Sequence, residues 1–188
     1  MSLVDLIAQA DERGLVASGL ACLDRCVPLL GDDDEVLRPL WSSLADGDAW
    51  GERLAKARAE LDSAESDLGS GSGSGSDADP ALAVGDEERA VVLARRMLAA
   101  APDDPSAAPA LREWADACSA AALQIHRLLD VAADGDGPLV AAELRRQVTV
   151  LELLAGRGAG GLRPALAVST EGRRVLRAVV SRRARGRS

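Results

Sequence analysis

Residues Gly69 to Ser76 are four consecutive Gly-Ser dipeptides with nothing apolar to bury. Such a run has neither helical nor strand periodicity and cannot enter a packed interior, so the fold must be divided at this point. As a flexible coil, eight residues span about 16 Å r.m.s.. That joins neighbouring helix ends but does not make the flanking parts independent. Residues 69–79 are therefore read as a flexible Gly/Ser linker, whether native or engineered, between a helical half at 1–68 and a second at 80–156. A glycine-rich break and an Arg-rich C-terminal helix or tail follow at 157–188.

Both flanks read as amphipathic helix. Ser2 with Asp5 three residues on is a capping pattern that opens a first helix ending near Gly14. Val16, Leu20, Leu23, Cys26, Val27 and Leu30 form a one-sided stripe, with Pro28 bending or ending its last turn. A third helix is expected over Val36–Ala45 after the Asp32–Glu35 cap. In a fourth, Trp50, Leu54, Ala57, Leu61, Ala64 and Leu68 step by four and three, a seam that faces other helices. Beyond the linker, Asp79-Pro80 and Asp104-Pro105 each restart a helix as cap and first residue. The second of these carries the longest seam: Leu111, Trp114, Cys118, Ala121, Ile125, Leu128 and Ala132. Leu139–Ala155 places Val140, Leu144, Val148, Leu151 and Leu154 inward, and a last short helix begins near Thr170 with Val175, Leu176, Val179 and Val180.

Phe and Tyr are absent, and Trp41, Trp50 and Trp114 are the only aromatics, although 47% of the chain is apolar. The interior must be built from Leu, Val, Ala and Ile, which suit helix-on-helix packing. Fewer than about 70 residues can bury little surface alone, so the halves are expected to share one aliphatic core. The reading is all-α, an antiparallel bundle or short stack of about seven or eight helices. The Asp-to-Trp spacing of Asp32–Trp41 and Asp104–Trp114 differs between the halves, and it is read as coincidence rather than a repeat.

Several motifs invite a chemical reading and fail on context. Gly156-Arg-Gly158-Ala-Gly-Gly161 has the spacing of a dinucleotide fingerprint, but only Glu171 follows as an acid and no later strand exists to complete a βαβ unit. Leu162-Arg163 stands where a phosphate loop requires Lys and Ser/Thr. Cys22 and Cys26, four apart, could meet Cys118 and His126 as a zinc site, yet no C-x-x-C knuckle is present, and Cys packs well as a small hydrophobe. His126 is the only imidazole available as a base near neutral pH, and it is read as a partly buried structural residue. Asp32-Asp33-Asp34-Glu35 and Asp134-Gly-Asp136-Gly resemble cation loops, but Arg145 occupies the position where a calcium loop needs its glutamate. No cofactor, metal or catalytic group is expected.

The one strong polarity is charge. Residues 1–69 hold 15 acids and 6 bases, 70–156 hold 14 and 7, and 157–188 hold one acid and nine arginines. Arg173, Arg174, Arg177, Arg182, Arg183, Arg185 and Arg187 surround the last apolar stripe and are the candidate partner-binding residues. They would grip phosphates, lie on an anionic bilayer or dock on an acidic protein, or lie on the chain's own acidic body. No aromatic platform for single strands accompanies them, and no helix-turn-helix precedes them. Three cysteines, no basic leader and no long apolar run point to a cytoplasmic protein without integral membrane association. Together these features predict a non-catalytic helical protein-protein interaction or scaffold module. The alternative is a nucleic-acid-associated accessory protein acting through the arginine tail.

Overall fold

The computed structural model describes residues 2–31, 33–69, 85–130 and 137–186. The linker from residue 70 onward, the Asp79-Pro80 restart, Asp134, Asp136 and Arg187 lie outside them. The described residues form an all-α bundle: α1 (Leu3–Gln9), α2 (Glu12–Cys26), α3 (Arg38–Asp46), α4 (Trp50–Gly69), α5 (Asp86–Ala99), α6 (Ala108–Leu129), α7 (Pro138–Arg157) and α8 (Leu162–Gly186). Short 3-10 turns at Val27–Leu29 and Gly158–Gly161 extend α2 and join α7 to α8.

Helix α2 is the axis of the molecule. It packs on α6, α7 and α8 and, more lightly, on α3 and α5. Every residue from Gly14 to Cys26 is buried, so the one-sided stripe expected of this segment is instead a helix wrapped on all sides. It starts at Glu12 rather than beyond Gly14. The Asp11 carboxylate accepts from the Gly14 amide at 2.7 Å and caps it, while the Ser2–Asp5 capping box opens α1 as expected. The close approach of α6 depends on Gly19, where an added Cβ would lie 2.6 Å from the Trp114 ring. The Trp114 indole N–H donates to the Met97 carbonyl at 2.9 Å, tying α6 to α5.

Other boundaries move for local reasons. Helix α6 begins at Ala108, not at Pro105, because the Asp104 carboxylate is taken up by the Ser106 amide (2.9 Å) and hydroxyl (2.6 Å) in a turn. Helix α3 begins at Arg38 with Pro39 in its first turn, where no donor is lost. Gly47, at φ 75°, ends α3 by bonding back to Ser43. Helix α8 is not a short C-terminal piece from Thr170. It runs 25 residues from Leu162, with Pro164 tolerated in its first turn. The Val148–Leu154 run before the glycine-rich motif is helical, and Gly158, at φ 53°, caps α7.

In α4, Trp50, Leu54, Ala57 and Leu61 are buried as the seam requires. The Trp50 indole donates to the Pro102 carbonyl at 2.8 Å. Arg58 reaches the carbonyls of Leu98, Ala99 and Ala101 and the Asp103 carboxylate, fastening α4 to the connection after α5. Among the described residues no helix is long and apolar enough to cross a membrane.

Candidate functional site

Helix α7 places its most informative residues where the apolar pattern pointed elsewhere. Leu144 is 42% exposed and Val148 only partly buried, whereas Glu143 and Gln147 face inward with Val140, Val150, Leu151 and Leu154. Positions 140, 143, 147, 150 and 154 keep helical spacing as well as 140, 144, 148, 151 and 154 do. A charged partner on α2 selects between the two faces. Arg25, at 0% exposure, donates through Nε and Nη2 to the two Glu143 oxygens at 2.8 and 2.6 Å, a bidentate pair between helices 118 residues apart in sequence.

The pair is closed in by a second layer. Gln147 donates to Glu143 Oε1 at 2.9 Å and to the Ser119 carbonyl at 3.2 Å, and the Ser119 hydroxyl donates to Gln147 Oε1 at 2.7 Å. His126 Nδ1 lies 2.7 Å from the Ala122 carbonyl, which places the ring proton on Nδ1. Its Nε2 stands 3.6 Å from Glu143 Oε2. Arg25 Nη2 also meets Cys22 Sγ at 3.4 Å. Backbone approach makes room for the guanidinium: a Cβ on Gly172 of α8 would overlap Cδ of Arg25.

Electrostatics follow from this geometry. Burial works against the ionised Glu143, but the Arg25 guanidinium outweighs it and holds the carboxyl below its ordinary value. Burial likewise works against the charge on Arg25, and Glu143 outweighs it, raising its pKa. For His126 burial prevails over the neighbouring carboxylate, so the imidazole pKa is lowered and the ring stays neutral at neutral pH. Burial pushes the Cys22 thiol up to about 12 and raises Cys26 and Cys118 as well, leaving three buried thiols in their protonated form. Among the described residues no cluster of His, Cys, Asp or Glu suits a metal ion. His126 is therefore a fully buried member of a polar network, deeper than the partly buried position expected from sequence.

A second cluster adjoins the first along α2. Asp24, at 0% exposure, accepts from Arg173 of α8 at 2.7 Å. Arg173 also stands 3.8 Å from Asp34 and 3.9 Å from Glu35. Arg177, one turn on, donates to Asp34 at 2.5 Å and to the Gly31 carbonyl at 3.4 Å. Burial pushes the Asp24 carboxyl up to about 6 despite the Arg173 and Arg25 charges, with Glu35 adding to the rise.

The arginines singled out from sequence thus separate into two groups. Arg173 and Arg177 bind the chain's own carboxylates. Arg183 donates to the Leu128 carbonyl at 3.3 Å, at the C-terminal end of α6, where a cation is favourable. Arg174, Arg182 and Arg185 are exposed, with Arg182 Nε bonding back to the Ala178 carbonyl of its own helix. Arg163, which sequence reasoning passed over, joins this outer group. At 3.6 residues per turn, Arg163, Ala167, Glu171, Arg174, Ala178, Arg182 and Arg185 fall within roughly a 100° arc and span about 33 Å of helix. All seven are exposed, and among the described residues Arg163, Arg174 and Arg185 form no ion pair.

The larger surface clefts are separate from both clusters. One of about 690 Å³ lies over Ala108, Pro109, Arg112, Glu113 and Asp116 of α6. Another, of about 490 Å³, lies where Glu12 and Arg13 meet Leu44, Asp48 and Trp50. Arg25, Glu143, His126 and the three cysteines line neither. Compared with family models, with curated proteins and with solved structures, the chain matches none.

Proposed function

We propose that this chain is a non-catalytic helical interaction module that engages an acidic protein partner through the outer arginine stripe of α8. The observation that carries this reading is the division of the basic residues. Arg173 and Arg177 are consumed in holding α8 to the body, while Arg163, Arg174, Arg182 and Arg185 face outward with only Ala167, Glu171 and Ala178 between them. Ala167 and Ala178 let a partner approach the helix closely on either side of Glu171, whose single negative charge the four arginines outnumber, and the exposed last turn supplies donors on several sides. The groups with catalytic potential support the non-catalytic part of the reading. Glu143 is occupied at both oxygens, His126 is neutral and enclosed, and the thiols are buried with their pKa values raised.

The test is affinity capture from the native host with the wild type and with Arg163→Glu, Arg174→Glu, Arg182→Glu and Arg185→Glu combined. The wild type should enrich an acidic protein that raised salt releases and that the reversed variant loses. An unchanged set of captured proteins would count against the stripe.

A second reading has one specific observation in its favour: the stripe's length is close to one turn of duplex DNA, about 34 Å. A nucleic-acid accessory role would then rest on four phosphate contacts. Retention on duplex DNA should fall with salt at a log-log slope of about −3 to −4. The chain's net charge of −8 opposes this, which is why the protein partner is preferred.

A further inference from the structure

The three tryptophans differ in what their indole N–H groups meet. Trp50 and Trp114 each donate to a backbone carbonyl, at 2.8 and 2.9 Å. The Trp41 indole nitrogen is buried and meets no acceptor among the described residues, and the same holds for Asp24 Oδ2 as an acceptor and Arg173 Nε as a donor. All three side chains line one narrow crevice of about 30 Å³ between α2, α3 and α8, which opens towards solvent past Asp34, Glu35 and Thr170. Trp41 is 4% exposed, Asp24 0% and Arg173 6%. Residues from three helices, each with a buried polar atom that would be costly without a partner, therefore line the same crevice.

The chemistry of the lining selects the ligand. Asp24, Asp34 and Glu35 are balanced by Arg38 and Arg173 in the crevice and by Arg177 on Asp34, so neither a cation nor an anion is drawn in. The volume exceeds the roughly 10–15 Å³ that admits one water and is too small for an organic molecule. Two donors and one acceptor match what a single water offers, accepting from Trp41 Nε1 and Arg173 Nε and donating to Asp24 Oδ2. We propose that this crevice is the site of a resident structural water that joins α2, α3 and α8 through Asp24, Trp41 and Arg173. It completes the polar contacts by which α8 is keyed to the body and exchanges with solvent past Glu35 and Thr170.

A high-resolution crystal structure should show one ordered water within hydrogen-bond distance of Trp41 Nε1 and Asp24 Oδ2. In solution, NMR should give a water-to-indole cross-relaxation peak for the Trp41 N–H and none for Trp50 or Trp114, whose carbonyl bonds make them internal controls. Trp41→Phe keeps the ring and removes the donor, so it should lose the ordered water, whereas Trp50→Phe should retain it. Density in which Trp41 Nε1 bonds directly to a protein atom, or a Trp41 peak no stronger than that of the controls, would overturn the proposal. So would an unmoved water in Trp41→Phe, which would show that the indole takes no part.

Discussion

Arg25 and Glu143 illustrate what a buried charge does to the residues around it. Each alone in an apolar interior would be prohibitive, and together they approximately cancel that cost. Removing one should therefore be far worse than removing both. Arg25→Met or Glu143→Leu singly is expected to cost about 3–5 kcal/mol of unfolding free energy. The double replacement should recover most of that loss or exceed wild-type stability, as read from urea midpoints. Titration offers a second handle on the same residues. His126, with its pKa lowered by burial, contributes stability that is present above its unfolded value of 6.5 and is lost as pH falls. Glu143, also lowered, adds a loss at more acid pH, below its unfolded value of 4.5. Asp24 acts in the opposite sense: raised to about 6 from 3.8, it contributes stability that is full below 3.8 and is lost as pH rises through about 6. Between pH 7 and 5 the Asp24 contribution therefore offsets part of the His126 loss in the wild type. In Asp24→Asn the opposing contribution is gone, and the urea midpoint should fall more steeply over that interval.

At the scale of helices, α1 opens at its expected cap but ends at Gln9 rather than near Gly14, and the apolar spacing placed the inward faces of α4 and much of α6 correctly, Ser119 and His126 on α6 excepted. It misplaced the inward face of α7 because Glu143 and Gln147 occupy buried positions, and polarity alone assigns such residues to solvent. It missed Asp24 and Arg25 for the same reason. A charged pair on an otherwise apolar segment, within Leu23–Cys26, was the available signal, but the partner that makes Arg25 tolerable lies on α7 and cannot be named from α2 itself. Helix α8 starts at Leu162, eight residues before the Thr170 start expected from its apolar stripe, and Gly172 within it marks the crossing over Arg25. Gly172→Ala should accordingly destabilise by about 1–3 kcal/mol, since the Arg25 stem is held by two bonds to Glu143 and cannot swing aside. Gly156→Ala is the matched control. It sits near the end of α7 with nothing within 4 Å of an added Cβ, and it should stabilise by roughly 0.5–1 kcal/mol through helix propensity. Thermal and urea unfolding of the two variants should move in opposite directions.

For the molecule as a whole, the all-α class was legible from periodicity and from the scarcity of aromatics. The candidate site was legible only in part, because the arginines that look alike in sequence divide by which carboxylates the fold brings beneath them. The buried face of α2 is covered by helices from both sides of the Gly-Ser run. A fragment comprising residues 1–69 is thus expected to show no cooperative unfolding transition by circular dichroism, while the full chain shows one. A partly helical fragment without a transition fits the expectation, and a sharp melt would contradict it. The Arg25–Glu143 pair also bears on synthesis. With the two residues separated by 118 positions, a ribosome adding about 5–20 residues per second leaves Arg25 without its counter-ion for roughly 6–24 s. Through that interval the emerging N-terminal helices have reason to stay open around a hydrated guanidinium. Closure waits for a carboxylate encoded 118 residues further along the message.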